Sequence, residues 1–150
     1  MASYSLDQVN DMYVDVLREI GNIGAGNATT AIAGMLQLKL NMNVPKVQLL
    51  TFQQLGSAVC PEDETIVGIY LEVQGEIDGS MMFLMKLDSA HFLVNRLMGR
   101  DENYRGDFDE MDMSAIMEIG NIIAGSYLNA LSSMTKLTIV PSVPYIAIDM

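Results

Sequence analysis

The sequence predicts an internally duplicated α/β domain, and three observations carry that expectation. One helix motif occurs twice, 99 positions apart, as Glu19-Ile20-Gly21-Asn22-Ile23 with Ala25-Gly26 and as Glu118-Ile119-Gly120-Asn121-Ile122 with Ala124-Gly125. Between residues 19 and 45, twelve of 27 positions are identical to their partners at +99, without a gap. Between the two motifs the apolar period changes from helical spacing to strand-like runs bounded by glycine.

The elements follow in order. Residues 7–36 read as a long helix with Asp7 as N-cap, its apolar residues recurring through Leu17, Ile20, Ala28, Ile32 and Met35. Residues 47–52 (VQLLTF) read as a strand, and 53–64, with Gly56 and Pro61, as a loop. Residues 65–75 and 79–87 read as two strands joined by a short turn, hence an antiparallel hairpin. Residues 88–98 read as a short helix with Asp88 as N-cap and Gly99 at the C-cap. The acid-rich stretch 100–112 reads as a linker, followed by a second long helix from about 112 to 135. Strand signals return around Leu137–Val140 and Tyr145–Ile148. The chain is therefore expected to be one domain, with repeat one at 7–99, the linker at 100–112 and a partial repeat two at 112–150. Residues 52–99 find no second copy, so a strand edge and an apolar sheet face should stay open, which favours a homodimer.

Composition narrows the function classes. A formal charge of −11 argues against nucleic acid and anionic membrane surfaces as partners and favours meeting other proteins. No apolar stretch is long enough to cross a membrane, and the N-terminus lacks a basic leader, so a cytoplasmic protein is expected. Cys60 is the sole cysteine and His91 the sole histidine, too few for a His/Cys metal cluster, and His91 is expected to be structural or solvent-exposed. The glycines at 21, 24 and 26 lie within a helix and come without a P-loop lysine, which argues against nucleotide binding. Glu19 and Glu118 lack a cleft or aromatic platform signal for glycoside hydrolysis, and the chain has no Trp.

At about 100° per residue, Glu19, Asn22 and Gly26 fall within about 40° of Asp15. Leu17, Ile20, Gly24, Ala28 and Met35 lie on the opposite, buried side. The second helix repeats the stripe with Ser114, Glu118, Asn121 and Gly125, backed by Ile116, Ile119, Ile123 and Met134. Both Glu–Asn pairs should therefore face outward. Each interior glycine costs about 1 kcal/mol relative to Ala. Gly21 and Gly24 are expected to allow close packing, and Gly26 to let a partner approach. An amide can donate to and accept from a water and hold it in line, which suits phosphoryl transfer, where positioning carries most of the catalysis.

These residues resemble the CheC family of chemotaxis phosphatases, related to CheX and FliY. The family pattern is Asp or Ser, three residues, Glu, two residues, Asn, twenty-two residues, Pro. Asp15, Glu19, Asn22 and Pro45 fit it, and Ser114, Glu118, Asn121 and Pro144 fit it again with the same gap. The resemblance implies two long pseudo-symmetric helices on one side of a largely antiparallel sheet. It implies hydrolysis of the aspartyl-phosphate of a CheY-like response regulator, with Asn22 and Asn121 orienting water and Glu19 and Glu118 contacting the regulator. Asp15, Gly26, Ser114 and Gly125 would border the partner. It implies no cofactor of the chain's own, Mg²⁺ being held by the phosphorylated regulator, and the deamidase CheD as a further partner. Family members normally continue beyond the point matching Met150. A non-catalytic adaptor for CheD or a flagellar switch component is the alternative.

Overall fold

The computed structural model describes residues 11–43, 46–59 and 63–150. Asp7, Pro45 and Cys60 lie outside the described residues. The elements are helix α1 (Asp11–Leu36), helix α2 (Phe52–Val59), strands β1 (Ile66–Gly75) and β2 (Gly79–Lys86), helix α3 (Leu87–Met98), helix α4 (Glu110–Thr135), and strands β3 (Ile139–Pro141) and β4 (Tyr145–Asp149). Among the described residues, no helix is long and apolar enough to cross a membrane.

The sheet is built around β1. Its hairpin with β2 is antiparallel, in a register that pairs Ile69 with Phe83 and Val73 with Gly79. On the other side of β1, β3 covers Val73 to Gly75 and β4 covers Ile66 to Tyr70, both antiparallel. Alternation assigns the faces. Val67, Ile69, Leu71 and Val73 are buried, while Tyr70 and Glu72 between them are exposed. The buried row packs on α3 and α4: Val67 and Ile69 cluster with Ala90, Val94 and Ile116, and Leu71 and Val73 with Ala124 and Leu128. A third cluster joins Ala28, Ile32 and Leu36 of α1 to Ile119 and Ile123 of α4. The outward sheet face presents Tyr70, Met82 and Tyr145 beside the exposed Phe52 of α2.

Three expectations require correction. Residues 47–52 form no strand, and the loop expected from residue 53 begins instead as the helix Phe52–Val59. Thr51 and Gln54 make a capping box, with the Thr51 amide donating to Gln54 Oε1 at 3.0 Å and the Gln54 amide to Thr51 Oγ1 at 3.4 Å. That local pairing nucleates a turn that strand propensity alone would not foresee. The short helix begins at Leu87 after an extended Lys86, without a side-chain cap; Asp88 lies in its first turn and pairs with Arg105 at 3.1 Å. The C-cap does fall at Gly99, whose φ of 70° is left-handed. Met134, placed on the buried side of the second helix, is 40% exposed, because α4 ends one residue later and its last turn runs past the core.

The segment before α4 is anchored rather than loosely solvated. Asn95, itself buried, donates through Nδ2 to the carbonyls of Tyr104 at 2.9 Å and Glu102 at 3.4 Å, and Arg105 Nη1 donates to the same two oxygens. Asp109 and Asp112 close a reciprocal capping box on α4. The buried Asp112 also accepts from Arg100 Nη2 at 2.6 Å, and this hydrogen bond holds its carboxyl below the usual carboxylate range. His91 is buried and stacks on Phe108, with ring centroids 4.5 Å apart. The start of α4, and with it the second motif, is thus tied to α3.

Candidate active site

The long helices α1 and α4 lie against each other and α4 lies on β1, and each of these close approaches rests on a glycine. A Cβ on Gly24 would come within 2.8 Å of the Tyr127 ring of α4. A Cβ on Gly120 would come within 2.8 Å of Ile69 Cγ2 on β1. Both distances are too short for real side chains, so glycine is required where helix meets helix and where helix meets strand. Gly21, the +99 counterpart of Gly120, would meet only Val47, at an ordinary 3.8 Å. The backs of the two motifs are therefore packed differently.

With those faces committed to the core, the polar stripes turn outward. Ile20, Gly24 and Ala28 are buried on α1, whereas Asp15 and Glu19 are exposed and Asn22 is half-exposed. On α4, Ile116, Ile119 and Ile123 are buried, whereas Ser114, Glu118 and Asn121 are exposed. Among the described residues, no hydrogen bond or ion pair occupies the side chains of Glu19, Asn22, Glu118 or Asn121. One turn beyond each amide stands a glycine with open space around it. A Cβ on Gly26 or Gly125 would have no neighbour within 4 Å. The clearance expected at Gly26 is present, and Gly125 shares it.

The first position of each stripe behaves differently. Asp15 Oδ1 accepts from Arg18 Nη1 at 2.9 Å, while Ser114 turns back along its helix and donates to the Glu110 carbonyl at 3.0 Å. Further along, the flanks diverge too: Val16 is 45% exposed where its counterpart Ala115 is buried at 8%. Pro144, the described proline of the spacing pattern, is buried between β3 and β4. Sequence reasoning missed Arg18 and the Arg100–Asp112 anchor. The first has no repeat signal, because Met117 takes its place; the second has one, the Asp109-x-x-Asp112 spacing of a capping box.

A family model described as CheC-like matches the chain twice, over residues 12–49 and 111–148. CheY-P phosphatase CheC of Bacillus subtilis is 40% identical over 144 residues, an alignment covering 95% of this chain and 69% of that protein. This chain belongs to the CheC-like family. CheC-like domains are accordingly present in two copies, in the same 99-residue register as the motifs. Among solved structures, Thermotoga maritima FliY matches with a TM-score of 0.80 at 24% identity, covering 95% of this chain and 71% of that one. A CheX–CheY complex from Borrelia burgdorferi matches with a TM-score of 0.57 at 19% identity, covering 86% and 76%. These likenesses establish the CheC-like fold, with the long helix pair and the antiparallel sheet.

Proposed function

We propose that this CheC-like chain hydrolyses the aspartyl-phosphate of a CheY-like response regulator at two helix-borne sites. The observation that carries the reading is the pair of outward Glu–Asn stripes, unengaged among the described residues and each set above an open glycine. The name of the Bacillus relative, a CheY-P phosphatase, and the CheY bound to CheX in the Borrelia complex agree with it.

In this mechanism Asn22 or Asn121 enters beside the phosphoryl group. Its carbonyl accepts from a water and its NH₂ donates, fixing the water in line with the scissile bond. The water oxygen bonds to phosphorus as the phosphorus–carboxylate bond breaks. The electron pair leaves with the regulator's carboxylate, and the water's proton passes to phosphate or solvent. Glu19 and Glu118 are acceptors for a cation of the regulator, giving each stripe its orientation. Mg²⁺, expected on the regulator and not on this chain, would supply neutralisation of the phosphoryl charge. CheD, and a second copy of this chain across the open sheet edge, belong to the same proposal as further partners.

The test is release of phosphate from a labelled regulator by the native chain, Asn22→Ala, Asn121→Ala and the double variant, with and without CheD. Acceleration by the native chain that the double variant abolishes is expected. Decay at the intrinsic rate with the native chain in both conditions would instead favour a binding adaptor.

A further inference from the structure

The two stripes differ at one chemically important place. Helix α1 contains a single basic residue, Arg18, and α4 contains none. Arg18 stands four residues before Asn22, a spacing that makes the two side chains surface neighbours about 5–6 Å apart at Cβ. At the matching place on α4 stands Met117, which is apolar and half-buried. The counter-ion changes with the cation. Asp15 pairs with Arg18 at 2.9 Å, and its counterpart is the uncharged Ser114, whose hydroxyl is spent on its own helix. Within one chain, then, the acid appears at the stripe's first position where the arginine follows and is absent where it does not.

The pair is also built to open. Both side chains are largely solvent-exposed, at 46% for Arg18 and 68% for Asp15, so water can replace either partner and the bond holds weakly. A guanidinium is a planar fork that matches phosphoryl oxygens and stays protonated at any working pH.

We propose that Arg18 is a phosphoryl-contacting residue of the α1 site, held ready by Asp15, and that the α4 site works without such a cation. This rests on the phosphatase reading above. As the regulator docks, Arg18 leaves Asp15 and donates to the oxygens on which negative charge collects. It forms no covalent bond and transfers no proton; water supplies the incoming oxygen and the regulator's carboxylate leaves with the electrons. Two sites of one fold therefore differ in charge, and the α1 site is the salt-sensitive one, because an exposed cation acting on a phosphoryl group is screened by added electrolyte.

The experiment uses the full chain in two backgrounds, Asn121→Ala to report the α1 site and Asn22→Ala to report the α4 site. Adding Arg18→Met to the Asn121→Ala chain should lower the rate constant for loss of phosphate from a labelled CheY-like receiver on the order of tenfold. That falls below the range of fully enclosed arginine fingers, because this side chain starts from solvent. Arg18→Lys should recover part of the loss, and Arg18→Met should flatten the fall in rate between low and high potassium chloride. Unfolding midpoints should stay in place. The paired change Ser114→Asp with Met117→Arg in the Asn22→Ala chain should confer salt sensitivity on the α4 site. A rate within twofold of the Asn121→Ala parent overturns the proposal, and so does an α1 site that is silent in that parent. Decay at the intrinsic rate with the native chain would refute the phosphatase reading itself, and full activity in the Asn22→Ala/Asn121→Ala chain would refute the placing of its sites; both are distinct results.

Discussion

Replacing each of three helix glycines by alanine separates packing from clearance. At Gly26 and Gly125 a new methyl meets nothing within 4 Å, so only the gain in helix propensity operates. That gain is about 0.8–1 kcal/mol, or roughly 2–4 °C in Tm for a domain of this size. At Gly120 the same gain is opposed by a methyl placed 2.8 Å from Ile69 Cγ2 and 2.9 Å from its Cδ1. Cγ2 belongs to a β-branched side chain in a central strand and yields little, so α4 and β1 must separate by several tenths of an ångström. Overpacking of this kind costs about 1–3 kcal/mol. Gly120→Ala should therefore fall below Gly125→Ala by about 1–3 kcal/mol in urea unfolding. Activity should move the other way for the open glycines. Each lies one turn from its amide, and a misplacement of about 1 Å costs on the order of 100-fold in a reaction governed by positioning. Gly26→Ala combined with Gly125→Ala should yield a more stable chain with at least tenfold slower regulator dephosphorylation, by order of magnitude. Equal stabilisation at positions 120 and 125 would refute the packing argument. A stabilised double variant with native turnover would refute the clearance argument.

Further expectations concern pH. Arg100 holds the Asp112 carboxyl below its ordinary range, so the associated stability is fully present above about pH 4 and is lost as pH falls through the lowered folded value. Asp112→Asn should be less stable at neutral pH and show a flatter decline on acidification, read from urea midpoints between pH 7 and 3. Burial, then Arg105, lowers the pKa of His91, only partly opposed by Asp88 and Asp112. The folded state thus favours the neutral ring, and its contribution is present above about pH 6.5 and lost as pH falls through the lowered value. His91→Phe keeps an aromatic ring against Phe108 and should remove the stability change between pH 7.5 and 5; an unchanged slope would place the titrating group elsewhere.

Much of the candidate site is legible before any fold is known, because a long helix is periodic. Once Ile20, Ala28, Ile116 and Ile119 must face a core, Glu19, Asn22, Glu118 and Asn121 have only the solvent side left. The hairpin is legible for a similar reason: strand alternation and a short turn leave one register that buries Val67, Ile69, Leu71 and Val73 together. The stretch 47–59 is less legible, because its apolar, β-prone run at 47–52 and the glycine after it are stronger local signals than the reciprocal Thr51–Gln54 cap that starts the helix.

The sequence by itself determined the duplication, its 99-residue register, the outward direction of both Glu–Asn stripes and the hairpin, since each follows from local periodicity along the chain. Tertiary structure alone decided which glycine is required for packing and which leaves open space, that Gly120 bears on Ile69 whereas Gly21 meets only Val47 at an ordinary distance, and that residues 100–112 anchor α4 through Asn95, Arg100 and Asp112. Those contacts join residues from different elements. Their cost or benefit depends on distances of a few tenths of an ångström between surfaces that meet only when the chain has folded.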